Sequence, residues 1–597
     1  MKPTEPPTTA DTLTTDPLTT GTAPPASTPP PADTPPWPEL VSAALLGAER
    51  RTPPTAGRGG PTGAAGLLDA AALSTVRRRA ALRPAPAGER PRRAPDDPRP
   101  PLPPAARRRL SLLLADRGGT GGSRRGTAPD LTELLPQWLT AAGEHGYRAP
   151  EALLPALLDA ARGRTDLRPA ALALAGPRAR WLARLNDDWK FALRGIGGDP
   201  GAAGADTAEN PEALQRLWDE GLFAERIAVL AALRRRTPDA GRELLSRTWQ
   251  AERAEDRLMF LDALRQGLSP ADEAFLEQAL SDRSRNVRAT AAELLSALPG
   301  SALATRMAVR ARSCVALDRT ATPSASDAPA APSTPTIVVE APHECDAGMQ
   351  RDGVVAKAPS GRGERSWWFG QLVEAAPLGG WAERFGGREP AAITALPVAD
   401  GRRTELHDAW CRAAVRQRDA PWARALLGTP AAPLQGAETG AGGSSRDPAK
   451  LLAVLPEPER AQWVAEFIAA HGLADAFRML GVCAVPWAEP LGGAVVDALD
   501  IARDAGSYPW SFSGVMGLAE RCLDPAAADR LEMLTAVTDE PEGASPGSGG
   551  YWSEAFQRLV GTLRLRATMH AELAASARLV APSGADRLSG AATGAAG

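Results

Sequence analysis

Three arginines, Arg226, Arg257 and Arg288, stand thirty-one residues apart, and Leu233, Leu264 and Leu295 keep the same interval seven residues behind them. One recurrence arises easily by chance, but two sets in register over three copies mark a structural repeat. Thr237-Pro238-Asp239-Ala240 and Ser269-Pro270-Ala271-Asp272 hold matching places between the copies. Each offers a capping hydroxyl followed by proline in the first helical turn, so one unit reads as two helices and two turns. A helical hairpin this short cannot bury its apolar face alone and must stack on its neighbours. The chain is thereby constrained to an all-α array of helical hairpins.

The flanking sequence agrees with that class. From 131 to 315 apolar residues recur every three and four positions and β-branched residues are few, which favours helix. Hydrophobic residues make up 43% of the chain, but 57 Gly and 57 Pro interrupt it, which predicts folded blocks joined by loose linkers. Residues 1–35 form a Pro/Thr-rich stretch without large apolar side chains, expected to be a disordered tail. An N-terminal helical domain is expected over 36–316, with its clearest repeats at 211–310. A linker follows at 317–335, then a C-terminal helical domain over 336–580 and a small-residue tail at 581–597. Ile337-Val338-Val339-Glu340 and Gly353-Val354-Val355 are the best strand candidates, so a small β-hairpin insertion is predicted near 336–357.

The copies resemble short HEAT-like repeats of an α-solenoid, most clearly at Ser281-Asp282-Arg283-Ser284-Arg285-Asn286-Val287-Arg288. In such arrays a turn Asp and a helix Arg six residues later form a ladder between neighbouring hairpins. Asp282 precedes Arg288 at that interval and Glu220 precedes Arg226, whereas Ala251 before Arg257 breaks the pattern. The blocks WPELVSAALLGAERR (37–51), EAPHECDAGMQRDGVVAK (340–357) and GERSWWFGQLVEAAPLGGW (363–381) resemble an uncharacterised bacterial domain-of-unknown-function family spanning most of such a chain. The resemblance implies neighbours of the SWIM zinc-finger, MoxR-type AAA ATPase and von Willebrand A kinds, and attaches no activity.

Candidate chemistry is sparse. His343, Glu344 and Cys345 put three ligand-type side chains side by side, but adjacent residues of an extended segment face opposite ways and cannot all reach one ion. His407 lies one helical turn before Cys411, a permissive nucleophile–base spacing that also arises in ordinary helix cores. No phosphate-binding glycine loop, dinucleotide fingerprint or HExxH occurs, and no cofactor is expected. The five cysteines are scattered without a CxxC pair, which argues for reduced packing residues. Trp181, Trp189, Trp218 and Trp249 stand at helical spacing among Leu and Ala and read as core. Adjacent Trp367 and Trp368 cannot both face one stripe, which makes them candidates for a junction or a partner contact, as are His343 and Cys345.

The net charge of -3 supplies no long-range field for nucleic acid or anionic membrane. No run approaches the roughly 18 apolar residues of a membrane span, and the N-terminal stretch has no signal-peptide core, so a cytoplasmic location is expected. Residues 77–125 carry fourteen arginines against four acids, but no aromatic side chain for base stacking. The resulting expectation is a non-enzymatic interaction scaffold with a protein partner, an AAA ATPase or zinc-finger protein by the resemblance. The alternatives are a nucleic-acid-binding repeat protein working through 77–125 and an enzyme with a site near His343 and Cys345.

Overall fold

The computed structural model describes residues 37–48, 62–81, 91–115, 130–193, 211–319, 335–432, 447–536 and 545–575. The tails expected at 1–35 and 581–597 lie outside these residues, as does 320–334 of the expected linker. The chain divides into two units, Met1–Arg93 and Ala94–Gly597.

In the first unit the helices Trp37–Leu46 and Gly63–Ala81 pack together. Leu40 and Ala43 are buried, and the Arg78 guanidinium lies 5.2 Å from the Trp37 ring centroid, a cation–π contact.

Among its described residues the second unit is all-α apart from one two-stranded sheet, and these residues gather in two apolar cores. One gathers the helices Pro104–Ala115, Leu131–Glu144, Leu154–Gly163, Arg168–Ala175 and Pro177–Leu185. Leu134, Leu135, Trp138, Leu139 and Ala142 form an inward stripe at three-and-four spacing, and Asp130 caps that helix by accepting from the Thr132 amide at 2.9 Å. Arg99 clamps the entering chain: it is paired with Asp97 at 2.7 Å and donates to the Ala173 carbonyl at 2.6 Å.

This core is completed from the far end of the sequence. Met569 and Leu573, on the long helix Ser548–Ala574, are buried in it. Around them the Tyr147 hydroxyl donates to the Leu573 carbonyl at 2.8 Å, and Arg109 pairs with Glu572 at 2.8 Å.

The other core runs without interruption from Trp218 to Leu563. It begins with the thirty-one-residue units, whose leading helices Phe223–Arg236, Ala254–Ala263 and Arg285–Ser296 pack in series. Ala302–Cys314 then packs on Glu364–Ala375, and that helix on Arg403–Gln417. Leu264 and Leu295 are fully buried, and Trp189, Trp218 and Trp249 are core residues as expected, while Trp181 is half-buried. Pro238 and Pro270 do open helical turns, although the Thr237 hydroxyl makes no cap hydrogen bond. The composition break at 317–335 does not divide this core, because Val315 and Ile337 on either side of it are both fully buried.

The sheet corrects one expectation. Strand β1, Val315–Asp318, pairs antiparallel with β2, Thr336–Val339, with Val315 opposite Val339 and Asp318 opposite Thr336. The partner predicted for β2, residues 353–355, is not a strand. Asp346 accepts from the Met349 amide at 2.7 Å and turns the chain into the short helix Ala347–Arg351. Gly353 then takes φ +91°, and the Val354 amide returns to the Met349 carbonyl at 2.9 Å. That reversal spends the hydrogen-bonding groups a strand would have needed.

Candidate functional site: an arginine ladder and the strap at its end

The first two of the repeated arginines project from the leading helices onto carboxylates of the following turn. Arg226 pairs with Glu252 through both guanidinium nitrogens, one of them at 3.1 Å. Its guanidinium also lies 4.6 Å from the Trp218 ring centroid. Arg257 pairs with Asp282 at 2.9 Å and donates to the main-chain carbonyl of Glu252 at 2.9 Å. Arg288 donates to the carbonyls of Asp282 and Arg283 at 2.7 and 3.0 Å. Each turn therefore serves two arginines, offering its side chain to the copy before and its backbone to its own copy.

This arrangement revises the expected spacing. Glu252, next to Ala251, supplies the second rung, so Ala251 interrupts nothing. Glu220 is exposed and takes no part among the described contacts. The two carboxylates are almost wholly buried, with side chains 7% and 6% exposed. Burial pushes the Glu252 carboxyl up, but the hydrogen bonds from Arg226 and Thr248 and the charges of Arg226 and Arg257 outweigh it, leaving the group below its ordinary range.

Beyond Arg288 the next element is not another hairpin of this spacing. Residues 340–357 run as a strap across the leading helix of the third unit, held by hydrogen bonds and ion pairs at several points. Arg365 donates to the carbonyls of Ala341 and Pro342 at 2.6 and 3.0 Å. Asp352, buried, sits between Arg306 at 2.8 Å and Arg310 at 2.6 Å. A Cβ on Gly353 would meet the Ala292 Cβ at 2.3 Å, so only glycine lets the strap lie this close to the helix. At the far end the indole N–H groups of Trp367 and Trp368 donate to the carbonyls of Val355 and Ala356 at 2.9 and 2.6 Å. Gln371 accepts from the Val355 amide at 2.8 Å. The two adjacent tryptophans thus do one job together, holding the strap on the helix Glu364–Ala375.

The other candidates are placed apart from this network. The His343 side chain is 77% exposed and 3.5 Å from Glu340. Cys345 is half-buried, and burial together with the Asp346 charge pushes its thiol up, the reverse of what an attacking cysteine needs. Cys411 and His407 are buried in the helix Arg403–Gln417, with the imidazole 5.5 Å from the Trp410 ring centroid. Burial likewise raises the Cys483 thiol to about 11. Among the described residues no group of three or more His, Cys, Asp and Glu side chains could hold a metal ion. In the Arg-rich stretch 77–125, Arg99 and Arg109 are spent on internal pairs, while 82–90 and 116–125 lie outside the described residues. No helix among the described residues is long and apolar enough to cross a membrane.

The fold and this network define an all-α protein of serially packed helix pairs, with one small β-hairpin and a strap closing the run of repeats. The chain belongs to the family of unknown function DUF5691, whose model matches residues 39–573. Both halves of the molecule thus fall within one family, together with the strap and the tryptophan pair. No curated protein matches the chain.

Proposed function

We propose that the protein is a non-enzymatic interaction scaffold, an adaptor that works in the cytoplasm through the surface of its helical repeats. The observation that carries this reading is the use to which the strap puts its polar side chains. Asp346, Asp352, Arg365, Gln371, Trp367 and Trp368 are all bound to the protein itself. Side chains committed in this way build a rigid connection between helix pairs. Stacked helical units expose extended surfaces suited to binding a protein without any catalytic apparatus. An AAA ATPase or a zinc-finger protein is the partner class that the family resemblance implies.

The test is capture of the tagged full-length chain from its native cells, with and without nuclease, followed by mass spectrometry. The scaffold reading expects one protein in near-stoichiometric amount that survives nuclease. Recovery of nucleic acid alone, or of no partner, overturns it.

A further inference from the structure

We propose that the cavity at the end of the arginine ladder binds the phosphoryl group of a small phosphorylated molecule. This goes beyond the scaffold reading and does not depend on it.

The first two rungs each satisfy an arginine with a carboxylate from the following turn. The third does not. Arg288 reaches only main-chain carbonyls, because the Asp282 carboxylate is turned toward Arg257 and the Ser284 amide. On the strap, where the ladder would continue, the buried acid is Asp352, and Arg306 and Arg310 already hold it. What faces Arg288 instead is a cavity of about 260 Å³, lined by Arg285, Arg288, Lys357 and the strap from Gly353 to Ala356, with no carboxylate in its lining. Arg285 and Lys357 are exposed, and among the described residues neither makes a side-chain hydrogen bond or ion pair.

Three like charges around one cavity repel one another, and a bound anion relieves that repulsion. A single carboxylate would match one of the three. A phosphoryl group carries a charge of about -1.5 to -2 near neutral pH and offers three acceptor oxygens, which suits two guanidinium forks and an ammonium. The walls are already set: Gly353 is pressed on Ala292, and the carbonyls of Val355 and Ala356 are held by the tryptophan pair. With the backbone walls fixed, only the Arg285 and Lys357 side chains are left to order on binding. The cavity has room for more than a phosphate ion, yet it lies below the roughly 300–1,000 Å³ typical of sites for drug-sized ligands. That points to a compact organic phosphate.

The experiment is calorimetric titration of the full-length chain with inorganic phosphate and, separately, pyrophosphate, at constant ionic strength in chloride. Saturable one-to-one binding is expected. Arg285→Gln and Lys357→Gln should each weaken it by about tenfold or more, the loss of one charge-assisted contact, while the melting temperature without phosphate does not fall. Both side chains are exposed, so misfolding does not cloud the comparison. No saturable binding, or equal binding by both variants and the wild type, overturns the proposal. So does a phosphoserine peptide that binds about tenfold tighter than either probe, since that would assign the cavity to a protein partner.

Discussion

Replacing Asp272 by Asn tests whether buried charge locks the repeats together. Both side chains of the Arg234–Asp272 pair are fully buried, with the guanidinium 2.7 Å from the carboxylate. Arg234 also donates to the carbonyls of Pro238, Leu264, Gln266 and Gly267 at 2.8 to 3.2 Å, so a single side chain ties the first helix pair to the turn of the second. Asp272 in turn accepts from the Ser269 amide at 3.0 Å. Asp272→Asn keeps the volume but leaves a guanidinium in the core without its counter-charge. Breaking such a pair from one side costs about 3–5 kcal/mol. The assay is urea unfolding followed by circular dichroism, with hydrogen exchange of the amides from 254 to 280 locating the loss. The double variant Arg234→Met/Asp272→Leu removes both charges together but also takes the donor from the carbonyls of Leu264, Gln266 and Gly267, so it is expected to lose no less than the single variant. A change within about 1 kcal/mol for Asp272→Asn, or a double variant clearly more stable than the single, would refute the reasoning.

Three further outcomes are expected. Glu252→Gln, which removes the first rung, should cost about 1.5–3 kcal/mol in the same unfolding assay, whereas Glu220→Gln should stay within about 0.5 kcal/mol. Leu573→Ala should cost about 2–5 kcal/mol and speed limited proteolysis between 95 and 193, because Leu573 completes the core of that segment. Burial pushes the Asp352 carboxyl up, but Arg306 and Arg310 outweigh it and hold the group below its ordinary value of 3.8. The unfolded chain therefore takes up the proton first, so this contribution to stability is complete above about pH 5 and is lost as pH falls through the folded value. Asp352→Asn should flatten that acid limb in melts taken between neutral pH and pH 3, and an unchanged limb would contradict the assignment.

What the sequence made legible was the local and periodic part of the fold. Helical stripes and the thirty-one-residue spacing survive in the structure because they report how neighbouring turns repeat along one chain. The ladder's partners were displaced by one position and one copy, since an interval counted along the chain cannot say which neighbour a side chain reaches. Strand β2 was visible as a β-branched run, but its partner lay across the intervening 319–335, where β-propensity carries no pairing information. The tryptophan pair misleads in another way. Adjacent residues on a helix point roughly 100° apart, yet the strap runs across both directions, so both indoles bind it. Arg234, the most buried cation of the repeats, looked like one more residue in an arginine-rich run. The docking of Ser548–Ala574 onto Pro104–Ala115 and Leu131–Glu144, far earlier in the chain, leaves no local trace at all.

The scaffold reading is tested most directly by measuring how the captured partner binds the purified full-length chain when the basic stretch is altered. The variant replaces the arginines of 77–125 by Gln but keeps Arg77, Arg78, Arg92, Arg99 and Arg109, which make contacts within the protein. The account predicts that affinity changes by less than about threefold and that it falls only weakly with added salt. Loss of binding in that variant, with a steep fall in affinity as salt rises, would contradict it and make the basic stretch the working surface.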